Sequence, residues 1–288
     1  ANSGGAWTPI GDVTTTMLWI ANKVSTGELI SNLFIPSVLS TFIPVLIASR
    51  FKVFQGNLDT FELKTENENR FGGTMLSIGL AAIIFVPIFK TITHLPPYIG
   101  MMLSLSVVAI FAEIFSKYSL KLTTLDEDEH ENPVHRSLGR IEMPSVLFFL
   151  GILMAVAALE SIGALFHFAE GLAVHVPQLG TEMKSTTGLP ISDLVILILG
   201  VASAVIDNVP LVAATIGMFS EPIDHELWHF IAFAAGTGGS MLIIGSAAGV
   251  VAMGMEKITF FWYFKNISWL ALIGYLVGAA AFMIIRFL

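Results

Sequence analysis

The chain has 288 residues, of which 55% are apolar and only 12% charged, with a formal net charge of −8 and a mean hydropathy of +0.79. A soluble domain needs about a quarter of its residues charged, so this composition reads as a membrane protein. The acidic balance and the lack of a basic stripe exclude nucleic-acid binding, and a sequence without cysteine offers neither disulfides nor thiolate metal sites.

A bilayer core about 30 Å thick takes roughly 20 helical residues to cross. In chain order, a glycine-rich opening at 4–12 leads into "VTTTMLWI", and the first uncharged spanning run covers 29–49. A polar linker at 50–70 follows, then a run at 71–89 and another at 98–112 that is extended through Glu113. "LDEDEHENP" at 125–133 reads as a solvated connection, and the run at 143–159 is extended through Glu160. The run 194–220 is split by Asp207 into halves of 13 residues, each too short to span. A long run at 230–255 and a last one at 266–285 complete the chain. Continuous apolar blocks rich in Leu, Ala, Ile and Met, rather than alternating ten-residue segments, exclude a membrane β-barrel. The expected fold is therefore an all-α integral membrane protein.

Basic residues set the orientation. With loops on alternate sides and the split segment returning to the face it came from, one side holds Arg50, Lys52, Lys64, Arg70, Lys117, Lys121, Arg136, Arg140, Lys257 and Lys265. The other side holds only Lys23, Lys90, Lys184 and Arg286. The richer side is expected to be cytoplasmic, which brings the hairpin around Asp207 in from the outer face.

"SAVIDNVPLVAATIGM" at 203–218 then reads as backbone chemistry. Val209 precedes a proline and is pushed out of the helical region, Pro210 suits the first turn of a new helix, and Asn208 is a good cap for it. A helix broken at Asp207 and Asn208 inside hydrocarbon survives only beside protein or a polar cavity. An ionised carboxylate at that depth costs roughly 2.5–3.5 kcal/mol, and such a group trades a proton for a cation. The bland alternative is that Asp207 caps a half-helix or bonds to a neighbour.

A second break lies at 236–246, "GTGGSMLIIGS", whose polar side chains are Thr237, Ser240 and Ser246. Glycines there permit an unwound segment with freed carbonyls, although small residues also serve close helix packing. A repeat favours the break. "GGAWTPIGD" at 4–12 aligns with "GGSMLIIGS" at 238–246 at a constant offset of 234, which pairs Gly5 with Gly239, Gly11 with Gly245 and Asp12 with Ser246. The counterpart of Asp207 would then precede residue 1, so the chain is expected to begin inside its own first repeat. The expected organisation is the end of a first inverted repeat at 1–49, a cytoplasmic linker at 50–70 and a second inverted repeat at 71–288. That second repeat holds a re-entrant hairpin at 194–220, a broken helix at 226–255 and a last helix at 258–287, the inverted-repeat arrangement of secondary transporters.

"ANSGGAWTPIGDVTTTMLWI", "SAVIDNVPLVAATIGM" and "FAAGTGGSMLIIGSAAGVVAMGMEKI" resemble the signature segments of the NhaD-type sodium/proton antiporters of the ion transporter superfamily. The resemblance implies cation/proton exchange at a mid-membrane meeting of two hairpins and two unwound helices. It places the functional polar set on Asn2, Asp12, Thr14 and Thr15 in the first break and on Ser203, Asp207 and Asn208 in the hairpin. Ser240 and Ser246 belong to the second break less securely.

The residues themselves point the same way. Sodium and lithium favour oxygen ligands, and carboxylates, hydroxyls and freed carbonyls converge at these breaks. Asp207 and Asp12, with Asn208, are the expected seat of Na+ or Li+, and competition between metal and proton for one carboxylate couples the two fluxes. For Asp12 a helix cap ahead of "VTTTM" is the rival reading. Glu160 is either a group on the proton pathway or a polar contact between helices. Glu113 and Lys117 read as a snorkelling pair, and His167 and His175 as residues of the outer interface.

No resident cofactor and no enzymatic chemistry are expected, since Na+ or Li+ and H+ are cargo. The expected partners are the lipid bilayer, monovalent cations and protons, with a second copy of the chain as a candidate for a homodimer. The expected membrane is a bacterial inner membrane, with an organelle envelope as the alternative. Two rival functions are an anion carrier of the same superfamily, moving dicarboxylates or arsenite, and an intramembrane aspartyl protease using Asp12 and Asp207. A buried aspartate repels the first cargo, and Pro9 stands where the protease pattern needs glycine. No His-Glu-x-x-His is present for a zinc protease.

Overall fold

A computed structural model of the chain describes residues 2–51, 71–120, 143–164, 167, 171, 182–183, 191–246, 249, 253 and 256–287. Readings that fall on the linker 52–70, the acidic loop 125–133, His175, Lys184 and the side chains of Lys117 and Glu160 lie outside the described residues. Among the described residues, eleven α-helices are labelled in chain order: α1 Asn2–Gly5, α2 Val13–Ile20, α3 Thr26–Ala48, α4 Gly72–Thr93, α5 Pro97–Leu120, α6 Met143–Ser161, α7 Asp193–Ala202, α8 Asn208–Met218, α9 Glu226–Gly238, α10 Phe260–Asn266 and α11 Ser268–Ile285. A two-residue antiparallel ladder, β1 Glu182–Met183 with β2 Ile191–Ser192, precedes α7.

Four of these helices are long and apolar enough to cross a membrane: α3, α4, the Pro97–Phe115 part of α5, and α11. The chain is an all-α integral membrane protein. At about 1.5 Å per residue the 23 residues of α3 reach roughly 34 Å, whereas the 10 of α7 and 11 of α8 reach only about 15–17 Å each. α7 and α8 are thus the two arms of a re-entrant hairpin, joined at Ser203–Asp207.

The chain divides into two compact units, residues 1–57 with 149–288, and residues 58–148. In the second, α4 and α5 form a helical hairpin. His94 ends α4 in the left-handed region at φ 57°, and its N–H donates to the Lys90 carbonyl. Phe71 stacks on Phe115 with ring centroids 4.9 Å apart, and the Ser104 hydroxyl donates to the Ala82 carbonyl at 2.9 Å. Leu76, Leu80, Ile83 and Ile84 stay exposed along α4, as suits a helix that faces lipid.

The first unit is built on α3 against α11. Pro44 lacks the N–H that would bond the Ser40 carbonyl, and that carbonyl lies against Gly274, where a side chain could not fit. Gly278, four residues on, admits the Phe233 ring and the Pro36 carbonyl. This is small-residue packing of the kind membrane helices use. α9 runs through the middle of the unit, every residue from Leu227 to Gly238 being buried.

Three local expectations are corrected. Asn208 does not cap α8: Asp207 holds the cap position at φ −30° and ψ 140°, and Asn208 is the first helical residue. Val209 is helical although it precedes Pro210. The proline then falls on the third helical position, whose N–H has no partner within the helix, so its loss is cheap. The last helix, expected as one element over 258–287, is divided at Ile267 (φ −116°, ψ −37°) into α10 and α11. Asn266 donates its side-chain amide to the Trp262 carbonyl at 2.7 Å, a competition with the backbone ladder that loosens a helix.

Candidate functional site

The two glycine-rich segments fold alike. A Cβ on Gly5 would strike the Gly11 carbonyl at 2.5 Å, and a Cβ on Gly239 would strike the Gly245 carbonyl, so each chain folds back on itself where only glycine fits. Asp12 leaves the first crossover at φ −142° and ψ 154°; Ser246 leaves the second at φ −151° and ψ 145°. Both side chains then accept from a backbone N–H further along. Asp12 Oδ1 accepts from the Val13 N–H at 2.8 Å, and Ser246 Oγ accepts from the Gly249 N–H at 3.1 Å. The repeat seen in the sequence is therefore also a repeat of backbone conformation.

Around Asp12 the hairpin and the first break meet. Its Oδ2 accepts from the Thr14 hydroxyl at 2.7 Å and from the Asn208 side-chain amide at 3.3 Å, a contact across 196 residues of sequence. Gly236 of α9 completes the corner, since a Cβ there would lie 3.5 Å from Asp12 Oδ2 and 3.7 Å from Thr14 Oγ1. Asp12 thus caps α2, the rival reading of the sequence, and also faces the hairpin break. Asp207, which precedes Asn208 at the hairpin break, is half-buried and within electrostatic reach of the Asp12 carboxylate, and its side chain makes no cap bond to α8. Asn2 lies against Gly239, its amide nitrogen buried and, among the described residues, without a hydrogen-bond partner.

The other expected residues are placed differently. The Ser203 hydroxyl, fully buried, donates to the Gly200 and Ala235 carbonyls at 2.7 and 3.0 Å, which ties α7 to α9. Thr15 donates to the Asp12 carbonyl at 2.9 Å and so finishes the α2 cap. Ser240 takes part through its carbonyl, which accepts from the Tyr263 hydroxyl at 2.8 Å. Asp12, Thr14, Asn208 and Asp207 are therefore gathered at one corner with Asn2 near the second crossover, while Ser203, Thr15 and Ser246 bond backbone and Ser240 is held through its carbonyl. Among the described residues, no three His, Cys, Asp or Glu side chains converge as a metal-ion cluster.

Tyr263 and Gly236 were not legible as site residues. Tyr263 sits in "FFWYF", where nothing distinguishes it from lipid-facing aromatics, and Gly236 is one of several glycines in its run.

A re-entrant hairpin meeting two broken helices inside an all-α membrane unit defines the class as a membrane transporter. The family of citrate transporters matches residues 1–223, and the chain belongs to that family. It is similar to sodium/proton antiporter 1 of Arabidopsis thaliana, 44% identical over 291 residues, with 99% of this chain and 47% of the relative covered. Sodium/proton antiporter 2 of the same plant is 42% identical, with 99% of this chain and 65% of the relative covered. The Na(+)/H(+) antiporter NhaD of Alkalimonas amylolytica is 32% identical, with 97% and 58% covered. The chain thus spans between 47% and 65% of the length of these curated relatives. No solved structure matches.

Proposed function

We propose that the protein is a secondary transporter that exchanges Na+ or Li+ for H+, with Asp207 and Asp12 as the groups that bind either a cation or a proton. The observation that carries this reading is the corner where Asn208 of the hairpin donates to Asp12 of the first break, with Asp207 beside it. Carboxylate, hydroxyl and amide oxygens with freed carbonyls form a hard oxygen shell, which suits an alkali cation. A cation held by these carboxylate oxygens competes with a proton for the same seat, which couples the two. Thr14, Asn208 and Asn2 orient this shell; Ser203, Thr15, Ser240 and Ser246 fix the backbone that carries it. The relatives named as sodium/proton antiporters support the choice of cargo.

In this reading residues 1–49 end one repeat, 50–70 are a cytoplasmic linker and 71–288 form the second repeat, inverted relative to the first, and Glu160 lies on the proton path. The membrane is a bacterial inner membrane, or an organelle envelope in a plant-like host, and the transporter works as a homodimer.

The test is proton movement in everted vesicles carrying the full chain. Added sodium or lithium releases protons from wild type, and Asp207→Asn abolishes the release at equal protein level. Proton movement driven by citrate, with no metal response, sinks the cation reading and returns the family's other cargo.

A further inference from the structure

The hairpin and the broken helix are also joined at their ends remote from the break. Arg286, which closes α11, donates from both terminal nitrogens to Asp193, at 2.8 Å to Oδ1 and 2.7 Å to Oδ2. Its Nε lies 3.4 Å from Glu226 Oε2. Asp193 is the first residue of α7 and Glu226 the first of α9. The pair is nearly sealed, with side-chain exposures of 7% for Arg286 and 2% for Asp193.

Each charge sits where its helix favours it: acids at the N-terminal ends of α7 and α9, a cation at the C-terminal end of α11. A two-pronged guanidinium–carboxylate contact fixes direction as well as distance. Down the same face of α7, at helical spacing, the Tyr275 hydroxyl donates to the Leu197 carbonyl at 2.9 Å. At the far end of that face Gly200 passes Gly238 backbone to backbone, and Ser203 bonds the Ala235 carbonyl. A shift of α7 against α9 therefore cannot be absorbed between Asp193 and the break.

We propose that Arg286 is a positioning residue: by holding Asp193 and Glu226 together it sets the register of α7 against α9, and so the depth at which Asp207 and Asn208 meet Asp12. No substrate touches it. It acts on cation binding through two helices whose other ends form the site. This inference rests on the exchange reading above for its transport readout.

The test measures sodium-driven proton release in everted vesicles holding equal amounts of the full chain. Arg286→Gln and Asp193→Asn each raise the half-saturating sodium concentration about tenfold while the maximal rate stays within about twofold. The double variant is no worse than either single one, because both remove one contact. Arg286→Lys restores part of the loss, since it keeps the charge without the fork. Glu226→Gln, at the more exposed partner, gives a smaller rise in the same direction and is the variant to read if the buried ones fail to accumulate. An unchanged sodium dependence in Glu226→Gln and the buried variants that accumulate, with rates that merely follow protein amount, overturns the inference. Wild-type vesicles that show no sodium or lithium response overturn the exchange reading instead. In that case the register is read directly: the sequence has no cysteine, so Val205→Cys at the exposed hairpin tip reports by its maleimide labelling rate. Arg286→Gln shifts that rate severalfold, and an unaltered rate refutes the proposal.

Discussion

Gly238→Ala tests the crossing of α7 and α9 most directly. The added methyl would overlap the Gly200 carbonyl oxygen and lie 2.7 Å from its carbon and 2.6 Å from Ser203 Oγ. None of these is the free end of a flexible side chain: two belong to backbone, and the hydroxyl is held by the Ala235 carbonyl. Relief requires the two helices to part by on the order of 1 Å, which carries the Ser203–Ala235 bond beyond hydrogen-bond distance. Overpacking of this kind costs about 1–3 kcal/mol, and the lost bond adds about 1 kcal/mol. Replacing a helical glycine by alanine returns up to about 1 kcal/mol. The net expectation is a loss of about 1–3 kcal/mol, or roughly 2–4 °C in Tm for each kcal/mol in a chain of this size. Thermal unfolding of the detergent-solubilised protein, followed by tryptophan fluorescence, measures it. Gly27→Ala is the control, because a Cβ there meets nothing within 4 Å. A Gly238→Ala protein that melts with Gly27→Ala, at or above wild type, refutes the backbone-on-backbone crossing.

Asn208→Ala removes an amide that donates to a carboxylate, a contact worth about 1.5–3 kcal/mol. It is expected to lower the melting temperature and weaken sodium dependence together, which thermal unfolding and vesicle titration each record. Tyr263→Phe leaves the Ser240 carbonyl without its protein donor, at a cost of about 1–3 kcal/mol; the same melting assay shows the fall, and a melting curve identical to wild type means another donor has taken over.

Much of the fold was legible because a bilayer restricts what a sequence can do. Spans were readable as uncharged runs, and Asp207 with Pro210 marked the hairpin by residue type alone. The offset of 234 paired Gly5 with Gly239 and Asp12 with Ser246, and the shared backbone angles agree with that pairing, since a tight crossover demands glycine at the same two places. What stayed hidden was long-range. The Arg286–Asp193 pair joins residues 93 apart and leaves no local pattern. The Tyr263–Ser240 bond depends on how α10 bends back over the unwound segment. Asn208 was misjudged as a cap because a local propensity was read where a contact 196 residues away decides its role. The division at Ile267 carries neither glycine nor proline to announce it.

The arms of the hairpin, at 10 and 11 residues, each cover about half of a hydrocarbon core. Under the exchange proposed above, a cation seated at their junction would cross about half of the transmembrane voltage on its way in, from whichever side it comes. One elementary charge moved through 100 mV is worth about 2.3 kcal/mol, so half the drop contributes about 1.2 kcal/mol, or roughly a sevenfold change in occupancy. On that proposal, the length of two short helices would make loading of the site sensitive to the electrical polarisation of the membrane as well as to ion concentration.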